Sequence, residues 1–239
     1  AVAIISLLIF YVLSIFTKRT NKAKRWTFSA LGLQLLELVG IILASAYQRL
    51  TLYEAAYGFT RLRTLTHIFM IWIALLLASI AILEISKKMD RLAFILICFI
   101  FSFGLTINLL NVDRFIVQQN VSRSMHAVEE NAPAELDTSY LYSLSVDSVR
   151  PMVKFFNDSE TPESLRNEIG GVLACRLADL DNTKDRPWMS WHYSHANAVD
   201  HLNGQSQDLE AYPIIEDHGL FVEVNGEIRS CNGYLIPPD

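Results

Sequence analysis

HIFMIWIALLLASIAILEIS, residues 67–86, decides the architecture. Its 20 residues hold one charge, Glu84. At 1.5 Å per residue such a helix is about 30 Å long, the thickness of a bilayer's hydrocarbon core. Two further runs match it: Thr27–Tyr47 with 21 residues and Leu92–Leu110 with 19. One such run could be a buried helix of a soluble protein. Three near-uniform runs in a chain of 239 residues predict transmembrane helices. Residues 1–16, AVAIISLLIFYVLSIF, are apolar from the first position, and Lys18 and Arg19 follow them. A signal peptide has its basic segment before the apolar core and a small-residue cleavage site after it. The expectation here is a truncated transmembrane helix, with further spans upstream.

Working outward, the loops set the direction. Lys18, Arg19, Lys22, Lys24 and Arg25 lie between the first two spans, and Lys87, Lys88 and Arg91 between the last two. The opposite side has Arg49, Arg61 and Arg63, then Arg114 and Arg123 beyond the last span. The excess of basic residues predicts that the first side is cytoplasmic. The loop 48–66 places Leu52, Ala55, Ala56, Phe59 and Leu62 at helical spacing. It reads as a short amphipathic helix at the interface, with Tyr53 and Tyr57 in the aromatic belt.

Charge divides the chain at the same place. Residues 1–110 carry 11 Lys/Arg and 4 Asp/Glu, a net of +7, whereas residues 111–239 carry 9 and 21, a net of −12. A basic apolar part joined to an acidic part of ordinary composition predicts a membrane region followed by a water-facing one. The acidic half would repel phosphate backbones, which argues against nucleic acid as a partner. The lipid bilayer is the partner that the composition implies.

Gln34, Glu37 and Asn108 stand inside the apolar runs. A carboxylate at mid-bilayer costs roughly 3 kcal/mol or more, so Glu37 must face other helices, face a wet cavity or be protonated. Two readings follow: an ion- or proton-coupling residue, or an interhelical hydrogen bond to Gln34 or Asn108. Under the first, Arg61 and Arg63 would mark an outer mouth. Glu84, close to Lys87 and Lys88, reads as an interfacial ion pair.

Residues 111–204 read as a helical, extracytoplasmic domain. Val112, Phe115, Ile116 and Gln119 repeat at helix spacing, as if the last span continued into water. Asp137 is placed to cap a short helix over Tyr140–Ser145, and another ends at Phe156. Thr161-Pro162 starts a longer helix with Leu165, Ile169, Val172, Leu173, Leu177 and Leu180 as its stripe. Within it Gly170-Gly171 either weakens the helix or permits close packing. Asp185 and Pro187 predict one more helix start. Residues 205–239 form a tail in which Leu220–Val224 and Glu227–Cys231 flank Asn225-Gly226, a strong hairpin signal. A lone hairpin is marginal in water, so it should pack on the helices. The fold class is therefore mainly α: four spans, the first truncated, over 1–110, then the helical domain and a small β-hairpin.

Catalytic chemistry is sparse. His192 and His195 are one turn apart and could share a metal, but His195 also lies on an apolar stripe where a packed histidine is ordinary. Ser190 and Ser194 lack the Gly-x-Ser-x-Gly turn that presents a nucleophile. Asp179, Asp181 and Asp185 lack the Gly and terminal Glu of a calcium loop. No catalytic motif and no cofactor are indicated. Cys98 lies in the last span. Cys175 and Cys231 lie in the part placed outside, where an oxidising compartment would let them pair; buried free thiols are the alternative.

Four blocks carry a family resemblance: 45–72 (SAYQRLTLYEAAYGFTRLRTLTHIFMIW), 111–123 (NVDRFIVQQNVSR), 136–149 (LDTSYLYSLSVDSV) and 188–198 (WMSWHYSHANA). The region 27–200 resembles an uncharacterised bacterial multi-pass membrane family, catalogued as domain of unknown function 4153/4173. The resemblance implies a larger parent with more N-terminal spans and brings no activity. The family's last block has Asn and an Arg-like pattern where this chain has His192 and His195, which tells against a metal. The leading expectation is an envelope interaction or sensing component of the bacterial cytoplasmic membrane, with an envelope protein as partner. The alternatives are an ion- or proton-coupled transporter using Glu37, and a membrane enzyme acting on lipid or cell-wall precursors.

Overall fold

The computed structural model describes residues 22–129, 136–181, 192–216 and 219–231, together with Ile5, Ser6, Ile9 and Val12. The span expected over 1–16 thus falls almost wholly outside the described residues, as does the helix start expected at Asp185 and Pro187. The chain divides into two units, Ala1–Leu110 and Asn111–Asp239.

In the first unit, α1 runs over Lys22–Tyr57, α2 over Arg61–Ile85 and α3 over Leu92–Leu109, with a 3-10 turn at Met89–Arg91 before α3. All three are long and apolar enough to cross a membrane. Leu36 and Val39 of α1 pack with Ile73, Leu77, Ile80 and Leu83 of α2 and Leu92 of α3. The α2 residues recur at three- and four-residue steps, so they form one stripe. The remaining surface is also apolar: Ile41, Leu75, Ile82, Phe94, Ile97, Ile100 and Phe101 are all exposed. Apolar area this continuous is untenable in water and suits lipid, which marks a membrane protein.

The separate interfacial helix expected within 48–66 does not form. Nothing between Tyr47 and Tyr57 breaks a helix, so α1 simply continues. The break comes at Gly58, whose φ of 78° lies in the left-handed region that glycine adopts without penalty. Thr60 then caps α2 by accepting from the Arg63 amide. The expected faces are also reversed: Leu52, Ala55, Ala56 and Leu62 are exposed, while Glu54 is buried.

The last span does not continue into water either. Leu110 is extended, and the Asn111 side chain accepts from the Arg114 amide at 3.0 Å, opening a new helix. This helix, α4 (Val112–Glu129), buries Ile116, Val117, Asn120, Val121 and Ser124. Next come α5 (Thr138–Ser143), a 3-10 turn at Val146–Ser148 and α6 (Val149–Phe156). Asp137 caps α5 through the Tyr140 amide at 2.9 Å. After these come α7 (Glu163–Asp181), α8 (Tyr193–Asn203) and the single turn α9 (Ser206–Leu209).

The centre of this unit is α7, with Leu165, Ile169, Val172, Leu173, Ala174, Cys175 and Leu180 buried. Against it lies a three-stranded antiparallel sheet, β1 (Ile214–Glu216), β2 (Leu220–Val224) and β3 (Glu227–Ser230), in that spatial order. Asn225 and Gly226, with φ of 55° and 82°, form the expected tight turn between β2 and β3. The hairpin therefore stands, with one more strand, β1, on its other edge. Gly170-Gly171 is where sheet and helix meet: a Cβ on Gly170 would overlap the Tyr212 ring, and one on Gly171 would overlap Val224. Close packing is the role of this pair.

Candidate functional site

A cleft of about 690 Å³ opens in the second unit, between the start of α5, one face of α7 and strands β2 and β3. Its size falls in the range of small-ligand pockets, roughly 300–1,000 Å³. The floor is Gly171, Val172 and the bonded pair Cys175–Cys231, whose Cα atoms are 5.5 Å apart. Asp137, Thr138 and Ser139 line one wall, and Glu227, Arg229 and Ser230 the other.

The charges of the second wall are organised. Arg229 donates to Glu168 at 2.9 Å and to Glu227 at 3.0 Å. Burial opposes its charge, but the two carboxylates outweigh burial and hold the guanidinium above its usual pKa. Arg229 is a fixed cation. Tyr142 faces the same cleft, and burial followed by Asp179 raises its phenol, with Arg176 opposing. Its hydroxyl stays protonated at neutral pH and offers a hydrogen-bond donor. This arrangement offers hydrogen-bond donors and acceptors to a polar ligand.

The polar residues singled out in the spans are not brought together. Glu37 and Gln34 share an exposed face of α1, and Asn108 donates to Gly104 O within its own helix. Arg61 is exposed, whereas Arg63 turns back to donate to Gly58 O at 2.8 Å and lies over the Tyr57 ring. Arg63 thus clamps the α1–α2 turn.

The buried acids are different ones. Glu84, expected beside Lys87 and Lys88 at the surface, is buried, and Ser29 of α1 donates to it. Glu54 is buried and 2.9 Å from His67 Nδ1, across the hairpin turn. The sequence carried no signal for this second pair beyond its lying on either side of Gly58-Phe59-Thr60. Such interhelical bonds in membranes average under 1 kcal/mol and reach about 1.7 kcal/mol. Glu54→Ala is therefore expected to lower stability by roughly 1–2 kcal/mol. Glu54→Gln, which keeps an acceptor, should lose less. Thermal unfolding in detergent checks this, and equal melting of both variants would remove the pair's role.

His192 is exposed and caps α8, its Nδ1 accepting from the His195 amide at 3.2 Å. The two rings sit edge to face, 5.6 Å apart. Among the described residues no group of three or more His, Cys, Asp or Glu is placed to hold a metal.

Residues 1–155 match the family model described as Domain of unknown function (DUF4153). The chain belongs to this family. No curated protein and no solved structure matches it. The DUF4153 match covers the membrane helices, α4, α5 and nearly all of α6. It ends before α7, so most of the cleft, the disulfide, His192 and His195 lie beyond the matched residues, as does the resemblance at 188–198.

Proposed function

We propose that the protein is a multi-pass component of a bacterial cytoplasmic membrane whose second unit stands outside the cytoplasm and binds or senses an envelope partner. The bond between Cys175 and Cys231, at the floor of an open cleft, carries this reading. Such bonds persist in oxidising compartments and are rare in the cytosol. The basic loops on the other side of the spans support the same orientation. The fixed cation Arg229, the Glu168 and Glu227 carboxylates and the protonated Tyr142 give the cleft both donors and acceptors for recognition.

Thiol labelling in intact cells with a membrane-impermeant reagent tests it, using full-length protein with Cys98 and any upstream cysteines replaced. Labelling of Cys175 and Cys231 only after reduction is expected. Labelling only after lysis, under the same reducing conditions, would place the unit in the cytoplasm and overturn the reading.

A further inference from the structure

A second hollow, of about 190 Å³, lies elsewhere in the Asn111–Asp239 unit. It is smaller than a drug-sized site and suits one small polar group. Arg114 reaches it from the first turn of α4, and Asp147 and Arg150 from the turn before α6 and its start. Tyr193, Asn197 and His201, one stripe of α8, complete it. Both arginines are exposed, and among the described residues neither guanidinium makes a hydrogen bond or ion pair. The amide of Asn197, the phenol of Tyr193 and the imidazole of His201 add further donors.

Two features name the occupant. The first is charge. Two arginines against Asp147 leave one positive charge, which matches the single negative charge of a phosphodiester; a free phosphate ion, whose second ionisation falls near neutral pH, carries more than one. The second is the covalent chain. Arg114 is five residues beyond Leu109, where the last apolar helix ends. Five residues span at most about 18 Å, so the covalent chain keeps the Arg114 backbone within that reach of the end of the last apolar helix. This holds whichever side of the membrane the unit occupies.

We propose that this pocket binds the phosphate of an anionic membrane lipid, with Arg114 and Arg150 donating to its oxygens. Guanidinium–phosphate hydrogen bonds are charge-assisted and geometrically selective. The bound lipid would hold the first turns of α4, α6 and α8 at the membrane surface.

The test places the full chain in nanodiscs of phosphatidylcholine with or without phosphatidylglycerol. Retained lipid is read by native mass spectrometry, and amide exchange is followed over 111–117 and 193–201. Wild type should retain phosphatidylglycerol and protect both segments. Arg114→Gln with Arg150→Gln should weaken retention about tenfold or more. Asp147→Asn should strengthen it, a gain that misfolding does not produce. Lys154→Gln, an exposed charge outside the pocket, should change nothing. Unchanged retention in the double variant would overturn the proposal, as would an equal loss in Lys154→Gln. Equal protection by inorganic phosphate in pure phosphatidylcholine discs would assign the site to a free anion and overturn the lipid.

Discussion

Cys175→Ala combined with Cys231→Ala is expected to lower the stability of the second unit by about 4 kcal/mol. The two residues are 56 apart in sequence. Closing a loop of that length removes chain entropy from the unfolded state worth about 4 kcal/mol at 25 °C. Both side chains are fully buried, so the replacement also leaves a small void between α7 and the end of β3. Alanine is the informative choice, because serine would bury two hydroxyls and mix a second penalty into the result. For a unit of this size the loss corresponds to a fall in melting temperature of about 10 °C or more. Reductant alone should reproduce the fall in the wild type and do nothing further to the variant. Amide exchange should also show the sheet losing protection before α4 and α6, because the bond is its covalent tie to α7. A melting temperature unmoved by reduction would mean that the bond contributes nothing to the fold, and would weaken the proposal that rests on it.

Length and repetition made the membrane helices legible in the sequence, because a bilayer imposes a fixed apolar run that no local detail hides. Asn225-Gly226 made the hairpin legible for a similar reason: its two left-handed residues select one turn. Asp137 before α5 behaved as its type predicts. The interfacial helix failed because periodicity alone cannot say where a helix stops. The stop signals, Gly58 and Thr60, stood within the same segment. Asn111 was likewise a cap hidden inside a pattern that matched a continuing helix. Strand β1 has three residues, too few for any period to show.

The buried polar residues were the least legible. Glu54 and Glu84 look like surface charges in their own helices. What makes each tolerable inside is a partner on another helix: His67 for Glu54 and Ser29 for Glu84. The cleft has the same character. Asp137, Tyr142, Glu168 and Arg229 are spread through the sequence and carry no motif, and only the packing of α5 and the sheet beside one face of α7 assembles them.

Arg176→Ala is expected to destabilise the second unit by about 2–4 kcal/mol, because two carbonyls that accept from it lose their donor at about 1–3 kcal/mol each. Arg176 sits one residue after the cysteine that ties α7 to the sheet, and it ties α7 to the opposite wall. It is 8% exposed, and its Nη2 donates to the carbonyls of Tyr142 and Leu144, at the end of α5 and just beyond it. The last carbonyls of any helix have no partner within it, so a guanidinium there satisfies acceptors that would otherwise be stranded. The guanidinium also lies 4.9 Å from the centre of the Tyr142 ring. Lysine lacks the planar fork and the stacking face, so Arg176→Lys should recover only part of the loss. Arg176→Met keeps the apolar volume but leaves both carbonyls stranded, and should resemble alanine more than lysine. Urea unfolding of the three variants ranks them; an alanine variant within 1 kcal/mol of wild type at an unchanged slope would sink the argument. The phenol gives an independent reading. Arg176 opposes the upward shift of Tyr142, so removing it should move the tyrosine's alkaline titration to higher pH still. A merely disordered α5 would expose the ring and move that titration the other way, back toward an ordinary phenol, which separates loss of the cation from loss of the wall.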